Sequence, residues 1–307
     1  MLKMYLPSVA DAGQHEFWDE TWAAEGRLFV DNDRVCENQP MFPLLRDTLR
    51  PARLFLEGGC GRAQWVKYFH DRGQSAVGID FAPRTVAWVK SVAPELDVRE
   101  GDVTALPLSS GSVHAYYSGG VVEHFETGPE PALHEARRVL ASDGYFLCSV
   151  PDHSWLRQVL YRGVETRLPG SDLVVRQVHD TEVTSAPTGT HFFQYAFSQD
   201  DFGARLAEAG FRVERTFGYS LLWGLYEIPG LQRAERGLRQ AVRTLRSRGA
   251  ATAVAASSTQ GAAPVGRDGL WVQTMVKEDR NLPVFGSLVG AALEKAANMR
   301  MYVARPV

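Results

Sequence analysis

The feature that most constrains this chain is a glycine-dense turn between a short apolar run and an amphipathic stretch. Residues 54–56 are apolar and lead into Glu57, and the turn that follows reads Gly58-Gly59-Cys60-Gly61. Residues 62–72 then carry a helical pattern, so the segment predicts a strand, a loop and a helix. Glycine permits positive φ and close approach of a ligand to the backbone. The loop would lie at the carboxyl end of a parallel strand, where open α/β sheets bind ligands.

Two more acids follow predicted strands downstream. Residues 75–80 form a strand pattern that ends in Asp80, about 20 residues after the turn, which is the spacing typical of a ribose-binding carboxylate. Asp102 follows a third short run at 96–98. For any one of these acids, capping of the next helix is the alternative interpretation. The three together favour a nucleotide-type ligand.

These motifs resemble those of class I S-adenosylmethionine (SAM)-dependent methyltransferases, over roughly residues 44–217. The segments that carry the resemblance are Leu56-Glu57-Gly58-Gly59-Cys60-Gly61, Val77-Gly78-Ile79-Asp80, Gly101-Asp102-Val103-Thr104-Ala105-Leu106-Pro107, Gly119-Gly120-Val121-Val122-Glu123-His124, and Arg138-Val139-Leu140 with Gly144. One departure is that Ala63 stands where the family has a third glycine.

The resemblance implies SAM as the cofactor and assigns its contacts residue by residue. The glycine turn would hold the methionine end, with Gly59, Cys60 and Gly61 nearest and Gly119 beneath it, and Glu57 would bind the ammonium group or hold the turn. Asp80 would accept hydrogen bonds from the ribose hydroxyls, and Phe81 would lie against adenine. The Asp102 carboxylate would accept from the adenine amino group, and the Val103 N–H would meet a ring nitrogen. The cofactor-binding residues expected from the resemblance are Glu57, Gly59, Cys60, Gly61, Asp80, Phe81, Asp102, Val103 and Gly119.

Strand patterns alternate with helical patterns through the core, which implies parallel βαβ units. The sequence predicts an α/β, Rossmann-like, doubly wound sheet of seven strands, mostly parallel with an antiparallel last strand, plus helical cap insertions. The predicted strands cover residues 53–57, 75–80, 96–100, 113–118, 145–150, 211–217 and about 301–304. The predicted helices cover residues 62–72, 83–93, about 130–140 and 199–209.

The predicted domain organisation places the SAM-binding core at 51–218 and a final core strand at 299–307. Residues 1–50 are expected to form a helical flap, in which Trp18 and Trp22 either cover the core or close over a substrate. Residues 152–192 are interpreted as a substrate lid. Residues 219–298 are interpreted as a second, helical cap.

Within this second cap, residues 231–248 are basic and amphipathic. They predict either a solvated cap helix or a peripheral contact with a membrane or an acidic partner. Residues 249–269, rich in Ala, Ser, Thr and Gly, predict a flexible linker. A further helical pattern starts at Phe285, and burial of its apolar face is expected.

Composition excludes some alternatives. The chain has 307 residues and a formal net charge of −3, so no global basic field favours nucleic acid. Its three cysteines show neither metal nor disulfide spacing, and no metal site is expected. A sparse, odd cysteine count suits a reducing compartment, and a cytoplasmic location is expected because no signal peptide or ~18-residue apolar span is apparent.

Candidate catalytic groups are His124, His153 and Tyr195, with His191 as a further histidine near the end of the lid. A histidine of ordinary pKa can take a proton from a hydroxyl or amine acceptor. The alternative is that these residues are structural. An activated carbon or an already ionised oxygen would need no base.

The favoured function is methyl transfer to a small-molecule acceptor at O, N or C, of apolar or aromatic character. A SAM-binding scaffold that does not methylate is the first alternative. An NAD(P)-dependent oxidoreductase is the second, and it is disfavoured because Gln64 occupies the third glycine position of G-x-G-x-x-G. The acceptor and the oligomeric state stay open.

Overall fold

A seven-stranded sheet forms the centre of the computed structural model, which describes residues 1–7, 14–48, 53–163, 165–168, 171–178, 185–231 and 294–307. In chain order the elements are β1 (Leu2–Pro7), α1 (Gln14–Ala24), α2 (Asn32–Glu37), α3 (Phe42–Thr48), β2 (Phe55–Gly58), α4 (Gln64–His70), β3 (Ala76–Asp80), α5 (Pro83–Val92), β4 (Asp97–Glu100), β5 (Val113–Gly119), a 3₁₀ turn (Val122–His124), α6 (Glu130–Val139), β6 (Leu140–Pro151), α7 (Trp155–Leu160), β7 (Thr166–Arg167), β8 (Val174–Gln177), β9 (Thr190–Ala196), α8 (Gln199–Glu208), β10 (Phe211–Tyr219), α9 (Leu221–Leu225) and β11 (Met299–Pro306).

The strand order in the central sheet is β10-β11-β6-β5-β2-β3-β4. Strands β2 to β6 pair in parallel, whereas β11 runs antiparallel to both β6 and β10. This confirms the predicted doubly wound sheet with an antiparallel last strand. The order reverses at β2, between β3 and β5, which is where such sheets bind ligands.

Strand β6 is longer than the predicted segment 145–150. It begins at Leu140, which pairs with Val113, but regular pairing with β5 resumes only at Tyr145. The four residues between are irregular, and a Cβ on Gly144 would lie 3.0 Å from the carbonyl oxygen of Ala141. The predicted turn at Gly144 is therefore an irregularity inside the strand rather than its start.

The core lies on both faces of the central sheet because successive strand residues point to opposite sides. Leu56, Tyr116 and Phe146 belong to the cluster that packs against α6 and α8. Their chain neighbours Phe55, Tyr117 and Leu147 belong to the cluster that packs against α4 and α5. Burial on both faces accounts for the near-continuous apolar runs in these strands.

A second, four-stranded sheet of order β7-β8-β1-β9 was not predicted. Strand β1 lies between β8 and β9 and pairs antiparallel with both, so the expectation that residues 1–50 are helical is wrong for Leu2–Pro7. The predicted lid contains α7, β7, β8 and the start of β9. A six-residue strand leaves a weak sequence pattern, and its partners lie more than 160 residues away.

Several predictions concern residues outside those that the structure describes. These are the basic helix 231–248 apart from Leu231, the linker 249–269, and the helical pattern from 285 up to residue 293. Among the described residues, no helix is long and apolar enough to cross a membrane.

Candidate functional site

A cavity of about 390 Å³ opens at the carboxyl ends of β2, β3, β4 and β5. One end, here called the acidic end, lies beyond β3 and β4 and carries Asp80, Glu100 and Asp102. The other, here called the aromatic end, lies beyond β5 and carries Trp18, Trp22, His124 and Phe125. Other residues that line the cavity are His15, Gly59, Phe81, Gly101, Val103, Gly120 and Val121. Among the described residues, those lining it include no Lys or Arg.

Gly59 of the glycine turn lines the cavity between the two ends. The Gly59 and Cys60 N–H groups donate to the Ile79 carbonyl oxygen at 2.8 and 3.0 Å, which ties the turn to β3. Gly59 has φ +67°, and a Cβ there would lie 2.3 Å from the Val121 side chain. Glycine is therefore required both by the backbone and by the packing of the cavity wall.

Asp80 organises the acidic end. Its Oδ2 accepts from Gly61 N at 2.6 Å, and its Oδ1 accepts from Ala82 N at 2.9 Å. Burial raises the pKa of this carboxyl, while the Ala82 and Gly61 N–H groups oppose the rise. Each oxygen keeps further acceptor capacity, so the group can receive hydroxyls from the cavity.

Asp102, Val103 and Phe81 also line the cavity, as the sequence led us to expect. The Asp102 Oδ1 accepts from Thr104 N at 2.8 Å, and this hydrogen bond shapes the loop after β4. The carboxylate itself is exposed. Glu100, two residues earlier, was not predicted to line the cavity, although it belongs to the same Glu-Gly-Asp motif.

Four other predicted cofactor residues, Glu57, Cys60, Gly61 and Gly119, are not among the residues that line the cavity. The Gly61 N–H donates to Asp80 instead. Glu57 is buried and its Oε2 accepts from Val66 N at 3.2 Å, and burial raises the pKa of this carboxyl to about 8. It therefore holds the start of α4. Cys60 is buried beside Gly78. Gly119 packs on Tyr117, whose Oη would lie 2.3 Å from an added Cβ, and its neighbour Gly120 lines the cavity instead.

Of the predicted catalytic groups, the structure brings His124 to the cavity. Its Nδ1 lies 2.8 Å from the Phe193 carbonyl oxygen. The imidazole packs edge-on against Trp18 and Phe193, each with its centroid 4.9 Å away. Burial lowers its pKa to about 4, so the ring is neutral at neutral pH.

His153, His191 and Tyr195 are not brought to the cavity. His153 is buried, and burial lowers its pKa to about 4. The Tyr195 hydroxyl donates to the Glu126 carbonyl oxygen at 2.7 Å, and burial raises the pKa of this phenol. His191 lies on β9 opposite Leu6. His153 follows a strand end in the sequence, and His191 and Tyr195 lie near the end of the predicted lid, but none of the three lines the cavity.

Helix α1 contributes His15, Trp18 and Trp22 to the cavity, and this contribution was the hardest to predict from the sequence. Trp18 and Trp22 stack on each other at 5.8 Å, and a Cβ on Gly61 would lie 2.7 Å from the Trp22 ring. His15 donates from Nδ1 to the Phe81 carbonyl oxygen at 2.7 Å. The four-residue spacing of the tryptophans was visible in the sequence, but the role of His15 had no local signal.

Among the described residues, no group of three or more His, Cys, Asp and Glu side chains is arranged to hold a metal ion. All three cysteines are buried and free.

The fold and the acidic strand ends are those expected of a class I SAM-dependent methyltransferase domain, a class whose cofactor is SAM. A family model described as a methyltransferase domain matches residues 56–148. A Mycolicibacterium smegmatis protein named a probable S-adenosylmethionine-dependent methyltransferase is 30% identical over 173 residues, covering 56% of this chain and 57% of that protein. These matches assign the domain at residues 56–148 to the class I SAM-dependent methyltransferases.

Two further comparisons agree with this assignment. A Mycobacterium tuberculosis protein of the same description is 26% identical over 134 residues, covering 44% of each chain. The chain thus spans about half the length of these relatives. A chain in a complex of the *Haloferax volcanii* Trm112 methyltransferase activator and a protein assigned as a methyltransferase superposes with a TM-score of 0.51 at 14% identity, covering 97% of this chain and 99% of that chain. This likeness concerns the fold.

Proposed function

We propose that this protein transfers the methyl group of SAM to an uncharged small-molecule acceptor of apolar or aromatic character. The observation that carries this proposal is a single cavity that joins an acidic end to an aromatic end. SAM supplies an electrophilic methyl group on a sulfonium. The protein must hold the acceptor in line with that methyl group and exclude water, and such orientation can contribute several kcal/mol.

The acidic end suits the adenosine part of the cofactor. Asp80 offers acceptor oxygens for ribose hydroxyls, and charge-assisted hydrogen bonds of this kind contribute roughly 1.5–3 kcal/mol. Asp102 and Val103 offer an acceptor and a backbone donor for the adenine edge. Gly59 presents only backbone to the cavity, which leaves room for the methionine part.

The charge of the cavity restricts the acceptor. Asp80, Glu100 and Asp102 line it, and among the described residues no Lys or Arg lines it. A phosphate or carboxylate on the acceptor would therefore find no cationic side chain to pair with among the described residues that line the cavity. At the aromatic end, Trp18, Phe125 and a neutral His124 offer flat, weakly polar surfaces that favour an apolar or aromatic molecule.

His124 is the proposed proton acceptor for a hydroxyl or amine. Because a carbonyl oxygen can only accept, the contact with Phe193 requires the proton on Nδ1, which leaves the lone pair on Nε2. Among the described residues, no hydrogen bond to Nε2 is present. The acceptor would pass its proton to Nε2 as its oxygen or nitrogen bonds to the methyl carbon, and the electrons of the broken C–S bond stay on sulfur.

Isothermal titration with S-adenosylhomocysteine (SAH), the product of the cofactor, tests this proposal first. We expect micromolar binding to the wild type and about 10- to 100-fold weaker binding to Asp80→Ala, because each 1.4 kcal/mol is a factor of ten. Asp97→Ala is the matched control, since this exposed acid on β4 pairs with Arg99. A folded wild type that does not bind SAH would overturn the proposal and direct the search to NAD(H).

Formation of SAH with a panel of uncharged aromatic acceptors tests the chemical step. Turnover on any acceptor would exclude the alternative of a SAM-binding scaffold without activity. Binding of SAH with no turnover across neutral, cationic and anionic acceptors would favour that alternative.

Two proposals concern where the protein acts. The free cysteines agree with a reducing cytoplasm, which we propose as its location. The basic residues 231–248 are proposed to contact a membrane surface at its periphery. Flotation with anionic liposomes tests the second proposal, and a protein that stays at the bottom of the gradient would contradict it.

A further inference from the structure

Helix α1 forms a wall of the cavity although it lies outside the core motifs. It contributes His15, Trp18 and Trp22 to the lining. Just beyond its end, Glu25 accepts from the Arg62 guanidinium of the glycine turn at 2.7 Å. A ligand that fills the cavity is therefore in contact with α1, and its release depends on how firmly α1 is held.

Asp19 holds α1 against the start of α5. Its side chain is buried, with a relative exposure of 5%. Its Oδ1 accepts from Thr85 N at 2.7 Å and from Thr85 Oγ1 at 2.8 Å. Its Oδ2 accepts from Arg84 N at 3.4 Å and from Arg84 Nε at 3.2 Å. One carboxylate thus makes four contacts with the first turn of a different helix.

Helix α5 has no side-chain cap of its own. Its N-cap residue is Ala82, which offers no acceptor. The free N–H groups of a helix start need acceptors, and an anion there is also favoured by the helix dipole. Asp19 therefore caps α5 from another helix. Burial raises the pKa of Asp19, but the hydrogen bonds from Thr85 and Arg84 outweigh this and hold the pKa below its usual range.

The capped turn is continuous with the cofactor-binding strand end. Asp80 and Phe81 directly precede it, and His15 bonds to the Phe81 carbonyl oxygen while its ring lies 4.7 Å from the Phe81 ring. The same docked position of α1 thus satisfies the cap of α5 and encloses the acidic end. Removing the cap would free α1 without removing any group that lines the cavity.

We propose that Asp19 is a positioning residue for the cofactor site, which holds His15, Trp18 and Trp22 against the cavity and so slows release of the cofactor. This inference rests on the proposed binding of SAM and SAH in the cavity. Asp19 acts through α1 and touches neither the cofactor nor the reacting atoms.

The experiment measures SAH dissociation by stopped-flow chase, with tryptophan fluorescence as the readout, in the full-length protein. We expect release to be about 10-fold faster in Asp19→Ala, within the range that loss of a helix cap allows. Asp19→Asn keeps one acceptor oxygen, so we expect it to restore part of the effect, with release about 3-fold faster than in the wild type. Association rates should change less.

Two control variants separate positioning from general destabilisation. Ser198→Ala removes the cap of α8, where Ser198 Oγ accepts from Asp201 N at 3.3 Å, away from the residues that line the cavity. It should lower Tm about as much as Asp19→Ala while leaving the SAH off-rate unchanged. Glu20→Ala changes the exposed neighbour of Asp19 on α1 and should leave both unchanged.

Thr85→Val is a milder variant that removes one contact of Asp19 and keeps the backbone donor. It should make SAH release about 2-fold faster. In the double variant this effect should not add to that of Asp19→Ala, because Asp19→Ala already removes the hydrogen bond between Asp19 and the Thr85 hydroxyl. If Asp19→Ala does not fold, Asp19→Asn and Thr85→Val decide the matter. If these variants release SAH at the wild-type rate, the role of Asp19 is overturned. The same holds if their Tm falls while the SAH off-rate stays unchanged. Absence of SAH binding to the wild type would instead overturn the proposed function.

Discussion

The two ends of the cavity are built in different ways. The acidic end comes from the strand ends of β3 and β4, so Asp80 and Asp102 lie within one short stretch of the chain. The aromatic end combines Trp18 from α1 with His124 after β5, and Phe193 of β9 packs against both. The acidic end follows from consecutive βα units, whereas the aromatic end requires three distant segments to meet.

The ends also differ in how their polar groups are satisfied. Asp80 accepts hydrogen bonds from the backbone N–H groups of Gly61 and Ala82, which lie 19 and 2 residues away in the chain. His124 depends on a carbonyl that lies 69 residues away. The acidic end, built within one stretch of the chain, suits a cofactor that does not change. The aromatic end is assembled from distant segments, so the acceptor pocket can change without altering the cofactor site.

The largest expected effect is at the aromatic end. With an acceptor that carries a proton, His124→Ala should lower kcat by about 10²- to 10⁴-fold, the usual contribution of a general base, with a much smaller change in SAH affinity. Because the histidine pKa is lowered to about 4, the wild-type rate should be flat between pH 6 and 9 and should fall only towards a midpoint near pH 4. Initial rates of SAH formation measure the kcat of His124→Ala and the pH profile of the wild type.

His134→Ala is the matched control for this prediction, since His134 is exposed on α6. A variant at His124 that keeps full kcat, or an acidic limb of the wild-type profile centred near pH 6.5, would contradict a proton-accepting role for a half-buried, neutral imidazole.

A smaller effect is expected at Gly61, whose N–H donates to Asp80 and which packs against the Trp22 ring. Gly61→Ala places a Cβ 2.7 Å from the Trp22 ring at φ +46°, so it should displace α1 and weaken SAH binding by about 10-fold as measured by titration. Gly73→Ala is the control, because Gly73 has φ +72° with no atom within 4 Å of an added Cβ. Both variants should lose about 1–2 kcal/mol of stability from backbone strain. Equal SAH affinity in the two would show that α1 does not shape the acidic end.

The smallest effect concerns Glu123, beneath the aromatic end. This side chain is 1% exposed, and burial raises its pKa to about 8. Between the ordinary value and pH 8 the folded state binds more protons than the unfolded state, so its contribution to stability is present at low pH and is lost as pH rises through 8. Glu123→Gln stays neutral, and it should be more stable than the wild type at pH 9.

We expect this gain to be on the order of 1–3 kcal/mol, since one pKa unit corresponds to about 1.4 kcal/mol, and to shrink towards zero at pH 5. Thermal unfolding across this pH range measures it. Glu208→Gln, at an exposed position on α8, should show no such trend. A constant difference between Glu123→Gln and the wild type would mean that Glu123 is ionised in the folded protein.

Much of the central sheet could be predicted because its signals are local. The predicted segment 75–80 corresponds to β3 at Ala76–Asp80, and the predicted helix 83–93 corresponds to α5 at Pro83–Val92. In each case an apolar run of the right length ends at a turn residue, and neither depends on a distant partner. The prediction that Asp80 and Asp102 face one cavity rested on the same local order of strands and loops.

The misses have a common cause in long-range contacts. Strand β1 is stabilised by pairing with β9, where Leu2 lies opposite Ala196, and no short window of sequence records this partner. Tyr195 was predicted to be a catalytic group, but its hydroxyl donates to the Glu126 carbonyl oxygen and does not line the cavity. The contribution of His15 likewise depends on how α1 docks.

The sequence by itself determined the succession of strands and helices from β2 to β6, the glycine turn and the acids that follow β3 and β4, because backbone preference and strand-end position act over a few residues. Only the tertiary structure decided that α1 caps α5 through Asp19, that Trp18 meets His124, and that Glu57 faces α4. These outcomes depend on which buried polar groups and aromatic surfaces find partners, and those partners lie tens to hundreds of residues apart in the chain.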